Sequence, residues 1–423
     1  MLLNFTFQNY RSFRDERTLR LEAGSVKELS EAVIHRDSYA LLPVAALYGA
    51  NSSGKSNVIS ALATMRRVVL GSVKLNPGDP LDYDPFRLDL DSSDQPTFFE
   101  IQFLLSDIRY RYGFTYDRNR ICQEWLYEKR PKEREYNLFL RAEDEYEISK
   151  TRFREGLGKT DATQENRLFV SLVAQLKGEK SAALLRWFGS CNCLSGLTAQ
   201  GYEGFTFKMF REHLDGSQEA LDFFRRIQLG FNDLLVTERP VTEEMVSGLP
   251  FGTERQKQML LEKFRNQSVT EIKTTHNIYD VDGNVVRQEA FDKDEMESEG
   301  TKKIIEISGP VFDTLLHGRV LVVDELDAKL HPLMTRAVVR LFMDPATNPK
   351  GAQLIFATHD TNLLSLSCLR RDQIWFTEKD ATESTDLYSL LEFRDPRGVK
   401  VRHDSSVQKD YINGRYGAIP FIR

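Results

Sequence analysis

Gly49-Ala50-Asn51-Ser52-Ser53-Gly54-Lys55-Ser56 is the stretch that decides the fold, because it fits the phosphate-loop pattern G-x-x-x-x-G-K-[ST] at every position. Its glycines let the backbone bend so that successive N–H groups point inward at an anion, with Asn51, Ser52 and Ser53 filling the bend. The helix expected from Lys55 adds its positive end to the same anion. Lys55 suits the β- and γ-phosphates, Ser56 offers a hydroxyl to Mg²⁺, and Asn57 adds a polar side chain at the helix start. The flanks agree with this reading. Leu41–Tyr48 is a short apolar run ending at glycine, and Val58, Leu62, Met65 and Val69 recur at helical spacing.

Working outward, Leu2–Asn9 alternates like a strand, and Thr97–Tyr116 reads as two antiparallel strands rich in aromatics. Further along, VLVVDE (320–325) and QLIFATH (353–359) are apolar throughout, as strands buried in a parallel sheet are. Between them and the first part of the chain, NRLFVSLVAQL, SAALLRWFG and QEALDFFRRIQLGFNDLL read as amphipathic helices, and Asn277–Ala290 reads as a hairpin turning at Asp282-Gly283. The predicted class is α/β: a P-loop fold with a mixed sheet and an antiparallel lobe. Residues 1–145 and 294–423 are expected to form the nucleotide-binding body, and 146–293 a mainly helical insertion.

The strand 320–325 delivers Asp324 and Glu325 side by side at its C-terminal end, where open α/β sheets place their sites. Asp324 suits the Mg²⁺ shell, and Glu325 suits a base that polarises an attacking water. His359 ends the next apolar strand, in position to donate to phosphoryl oxygens. The 423 residues are 41% hydrophobic and 28% charged, as in ordinary globular chains, and the net charge of −6 argues against gripping nucleic acid by overall charge. Four cysteines make no disulfide framework, and the C-x-C of Cys191 and Cys193 lacks the second ligand pair a zinc site needs. That cysteine usage makes a reducing cytoplasm the expected place, and no apolar run is long enough to span a bilayer.

Phosphate loop, DE strand and strand-end histidine, in this order, resemble the ABC-type ATPases of the SMC/Rad50/RecF/OLD group. In that resemblance Asp327, within DELDAKLHP, is the D-loop residue, and Ser298-Glu299-Gly300-Thr301 is similar to the signature motif S-x-G-T, with Ser298 and Gly300 facing a nucleotide held by a second subunit. Arg11 in QNYRSF matches a basic position that meets nucleotide phosphates in relatives. Gln123 is one candidate for the Q-loop glutamine, with Gln102 and Gln164 as competitors. The segments DPFRLD, PTFFEI, RRDQIWFTEKD and the end GRYGAIPFIR are similar to the RloA/AbiLi group of AAA-15-type ATP-binding proteins, to which the ATPase of the PARIS defence system is related.

What the resemblance implies is an ATP- and Mg²⁺-dependent ATPase that closes as a homodimer or higher oligomer around two nucleotides. It also implies a regulatory or sensor role in anti-phage defence by abortive infection. The partner would be an effector encoded nearby, a Toprim-like nuclease, with a phage-derived trigger. The 64 residues after His359 leave little room for such a nuclease in the same chain. A DNA-repair ATPase of the RecF or Rad50 kind is the alternative, and whether nucleic acid is bound stays open. A nuclease acting alone and a transporter ATPase fit less well, and no membrane is involved.

Overall fold

The computed structural model describes residues 1–198, 201–242, 245–246, 253–264, 268–395, 397–402 and 405–419. The chain forms two compact units. The first comprises Met1–Leu197, His317–Ala328 and Thr335–Arg423, and the second Thr198–Leu316 and Lys329–Met334.

Two sheets build the first unit. One has six strands in the order Cys191–Ser195, Val320–Asp324, Gln353–Ala357, Val44–Gly49, Ile374–Lys379 and Thr385–Ser389. All neighbours in it run parallel except the last pair. The other is an antiparallel lobe of seven strands, in which Leu2–Gln8 lies between Arg17–Arg20 and Thr97–Leu105 and the meander continues through Ile148. The helix Lys55–Gly71 buries Val58, Leu62, Met65 and Val69 in one core with Phe5, Phe99 and Phe103 of the lobe and Leu47, Val322 and Ile355 of the parallel sheet. Apolar residues three and four apart give the helix that continuous inward stripe.

Gln353 joins the two sheets. Fully buried at the start of its strand, it accepts from the Leu2 N–H at 2.6 Å and donates to the carbonyls of Leu2 at 2.9 Å and Leu42 at 3.1 Å. The antiparallel lobe thus docks on the parallel sheet through hydrogen bonds to buried backbone groups that water cannot reach.

Residues 146–197 pack with this unit, so the division differs from the 146–293 insertion expected from sequence. Helices Phe169–Gln175 and Glu179–Gly189 contribute Phe169, Val173, Leu184 and Phe188 to the main core. Cys191–Ser195 then pairs in parallel with Val320–Asp324. Helical periodicity reports that a face is buried but not which sheet covers it, which is why the boundary moved.

The second unit carries a sheet beside its helices. Asp233–Pro240, Ser268–Tyr279 and Val285–Asp292 form an antiparallel sheet, and the hairpin turns through Gly283 at φ 84° as expected. The helix expected over QEALDFFRRIQLGFNDLL ends at Arg226, and its last residues open the first of these strands. Gln228 and Gly230 take left-handed conformations there, which break the helix. Phe210, Phe223, Phe224, Phe231 and Phe312 make this unit's own aromatic cluster.

Candidate functional site

The phosphate loop leaves the C-terminal end of Val44–Gly49 and runs into the helix at Lys55. Its bend needs both glycines. A Cβ on Gly49 would sit within 2.5–2.6 Å of the Thr377 hydroxyl and carbonyl, and Gly54 is at φ 110° with Thr385 2.7 Å from where its Cβ would be. Ser52 also takes a left-handed conformation, φ 64°. Lys55 Nζ folds back into the loop and donates to the carbonyls of Gly49 at 2.8 Å and Ala50 at 3.0 Å. Burial lowers its pKa, while Asp324, Glu325 and Asp327 pull the other way. The ammonium is therefore poorly hydrated and has three carboxylates nearby, a setting in which an incoming polyanion gains strongly.

A bracket that sequence reasoning missed holds the loop from outside. Ser53 Oγ meets Thr377 Oγ1 at 2.6 Å, Thr385 Oγ1 donates to the Ser53 carbonyl at 3.0 Å, and Ser12 Oγ sits 2.8 Å from both Thr385 Oγ1 and Asn57 Nδ2. Asn57 thus ties the helix start to this bracket. No motif marks Ser12, Thr377 or Thr385, since their place depends on Ile374–Lys379 pairing with the loop's own strand.

Opposite the loop, Ser56 Oγ donates to Asp324 Oδ1 at 3.1 Å, although 268 residues separate them. Two oxygen groups side by side at the end of neighbouring elements fit a cation that takes its remaining ligands from phosphate and water, as Mg²⁺ does. Glu325 follows with φ 54°, a strained conformation for a residue with a side chain, and its carbonyl accepts from the Ala328 N–H at 3.1 Å. Asp327 turns its carboxylate to the His359 backbone N–H, 3.2 and 3.3 Å from its two oxygens, so it positions the His359 segment while the imidazole itself is exposed. Tyr48, one residue before the loop, donates to the Asp360 carbonyl at 3.2 Å. Lys55, Ser56, Asp324, Glu325, Asp327 and His359 are brought to one edge of the sheet.

Gly196 is a further residue the sequence did not mark. Its N–H donates to the Asp324 carbonyl at 2.5 Å, and its missing side chain leaves the space that the Glu325 backbone occupies.

Other candidates stand elsewhere. Arg11, at φ 50°, pairs with Asp84 at 3.0 Å and reaches Ser60 at 3.1 Å on the second turn of the loop helix, with its guanidinium over the Tyr10 ring. Gln123 is exposed on the antiparallel lobe, next to buried Glu124, which caps the N–H groups of Phe169 at 2.6 Å and Val170 at 3.0 Å. Ser298 and Gly300 belong to the second unit. There Ser298 Oγ accepts from the Thr301 N–H at 3.2 Å and caps the helix Glu299–His317, and a Cβ on Gly300 would come 3.1 Å from the Lys329 carbonyl. Burial pushes the Cys191 thiol up to about 12 and Cys193 to about 11, so both stay neutral inside the fold. The GRYGAIP segment packs on the body as far as Ile419: Tyr411 and Tyr416 stack on Phe376, and Tyr388 donates to the Tyr416 carbonyl at 2.7 Å. Residues 420–423 lie outside the described residues. No helix among the described residues is long and apolar enough to cross a membrane.

A family model described as "AAA domain, putative AbiEii toxin, Type IV TA system" matches residues 44–365. No curated protein matches the chain. Similar solved structures include the SmcHead bound to the C-winged helix domain of ScpA, at 12% identity over 92% of this chain and 97% of that one, with a TM-score of 0.40. The SMC head domain from Thermotoga maritima is 13% identical over 92% and 98%, with a TM-score of 0.40. RecF with ATP from the RecFOR pathway is 13% identical over 92% and 97%, with a TM-score of 0.32. At these scores the likenesses carry no weight for function.

Proposed function

We infer the function from one premise: this chain belongs to the AAA-domain family whose model spans residues 44–365. On that premise it is a Mg²⁺-dependent ATPase of ABC type, and the meeting of Lys55, Ser56 and Asp324 at one sheet edge carries the reading. When bound, ATP with Mg²⁺ supplies the phosphoryl group to be transferred and the cation that shields its charge. The loop N–H groups and Lys55 hold the phosphates, and Lys55 exchanges its two carbonyl partners for them. Ser56 and Asp324 take the metal. Glu325 accepts a proton from the attacking water, held in place by its turn and by Gly196 behind it. His359, anchored through Asp327, donates to the phosphoryl oxygens. Arg11 contributes more remotely, by ordering the loop helix through Ser60.

In a closed homodimer Ser298 and Gly300 of the partner subunit would complete each site. Capping uses a lone pair of Ser298 Oγ, whose O–H, 3.0 Å from the Thr301 hydroxyl, would turn from that neighbour to the nucleotide, and the helix behind it presents a positive end. Closure then depends on the γ-phosphate, so hydrolysis becomes a switch. The AbiEii and toxin–antitoxin terms in the family's description are the support for a role in anti-phage defence. In that role the chain would be the regulatory subunit for an effector encoded nearby, a nuclease of Toprim-like type.

The test has two arms. In the first, ATP turnover and mass in solution are compared for wild type, Lys55→Ala and Glu325→Gln. Lys55→Ala should lose nucleotide binding, and Glu325→Gln should bind ATP, dimerise and turn over at least ~100-fold more slowly. Undiminished turnover in Glu325→Gln removes that residue from catalysis. In the second arm the chain is co-expressed with the product of its neighbouring gene. If nothing copurifies and neither substitution alters protection from phage, the regulatory reading is wrong.

A further inference from the structure

The first unit has another concave site, a cleft of about 790 Å³. It opens at the opposite edge of the parallel sheet from the phosphate loop. Arg319 and Val320, in its wall, begin the strand that ends at Asp324, and Lys350 precedes the strand that ends at Ala357. Five residues of strand place the two edges roughly 16 Å apart.

The floor is apolar, formed by Leu104, Tyr110 and Trp187, and the rim carries Arg36, Arg186 and Lys350. Among the described residues none of these three cations has a carboxylate in ion-pair reach. Arg36 donates to the carbonyls of His35 at 3.4 Å and Lys350 at 3.3 Å, and Arg186 and Lys350 project into solvent. Lys180, also in the wall, is held by buried Glu128 at 2.5 Å. The acids of the lining are Asp107 and Glu179, so the three cations of the rim face two carboxylates. On a chain of net charge −6 this is a local reversal of sign.

A cleft with low-dielectric walls and one dominant charge focuses its field on an anion. Its volume lies in the range of ligand clefts, ~300–1,000 Å³. Trp187 is 7% exposed and Tyr110 5%, and Trp187 spends one ring face on Phe103 at 3.9 Å. The floor therefore offers ring edges and aliphatic contact rather than a stacking platform, and recognition falls to the cations and the anion's charge. We propose that this cleft is a second, non-catalytic site for a phosphate-bearing ligand of nucleotide to dinucleotide size, presented as a free nucleotide or as the end of a nucleic-acid strand.

The experiment is titration calorimetry on the full chain carrying Lys55→Ala, which takes the phosphate loop out of the measurement. The probes are the dinucleotide pTpT and a longer single-stranded oligothymidylate. Saturable binding of at least one is expected, and adding Arg186→Glu with Lys350→Glu should weaken it about tenfold or more. Both side chains are exposed, so an unchanged thermal midpoint verifies that the variant folds. Tighter binding of the longer strand assigns the ligand to a strand end, and equal affinity assigns it to a free nucleotide. The proposal is overturned if neither probe binds saturably, or if the double reversal leaves binding unchanged.

Discussion

Gly196→Ala is the substitution that probes the proposed catalytic edge most directly, because it perturbs Glu325 by way of the backbone alone. A methyl group at 196 would overlap the Glu325 carbonyl oxygen outright and lie 2.5 Å from the carbonyl carbon of Glu325 and 2.6 Å from the Asp324 oxygen. All three neighbours are backbone, so no change of rotamer relieves the overlap. Non-bonded carbon contacts settle near 3.5 Å, so the Glu325 peptide must move by about 1 Å. Overpacking of this size costs about 1–3 kcal/mol in stability. A displacement of about 1 Å at a reacting group costs up to ~100-fold in rate, or about 2.7 kcal/mol in the barrier. The strand Gln353–Ala357 lies between this corner and the strand that leads into the phosphate loop, and the loop reaches the corner only through Ser56 on the Asp324 carboxylate, so ATP affinity should fall less than turnover does. Turnover at saturating ATP, nucleotide binding and thermal melting are measured on one preparation. A lowered midpoint with wild-type turnover would show that Glu325 does not act from this position. Wild-type values for both would refute the packing argument itself.

Two further perturbations test what holds the fold. Gln353→Leu keeps the volume but takes the Gln353 partner from two carbonyls and one N–H; at about 1–3 kcal/mol for each unmet group, a loss of roughly 3–9 kcal/mol is expected in denaturant unfolding, and a loss below ~1 kcal/mol would mean the bridge between the sheets contributes little. Lys303, buried in the second unit with its Nζ 2.6 Å from the Tyr202 hydroxyl, has its pKa lowered from 10.5 to about 8, chiefly by burial. Between those values the unfolded chain holds the extra proton, so this group makes stability rise with pH across about 8 to 10.5, and below 8 its penalty is complete. Lys303→Met should therefore raise the thermal midpoint at pH 7, with the gain shrinking toward pH 10; a gain that does not vary with pH would contradict the assignment.

The legible parts of the site share one property: their geometry is local. Gly49 to Ser56 carries its own bend, its own inward N–H groups and its own helix start within eight residues, so the string alone foretold the loop. The strand ending in Asp324 and the hairpin at Gly283 were readable for the same reason, since alternation, apolar runs and turn residues report local backbone and burial. Ser298 was readable only in part. Its cap is local and present, whereas the proposed contact with a nucleotide would require a second copy of the chain.

What lies beyond such strings depends on which distant segments pair. The amino-acid sequence by itself determined a glycine-hinged loop between a strand and a helix, a pair of carboxylates at a strand end and the α/β class. Only the tertiary structure decided that Ser56 meets Asp324, that Ser12, Thr377 and Thr385 bracket the loop, and that Gly196 makes room for Glu325. It also decided that residues 146–197 join the ATPase body through Cys191–Ser195 rather than an insertion. Parallel strands find partners across hundreds of residues, through hydrogen bonds and buried area summed over the whole sheet against the entropy of closing long loops. No single stretch of the chain contains that sum, and so none announces its result.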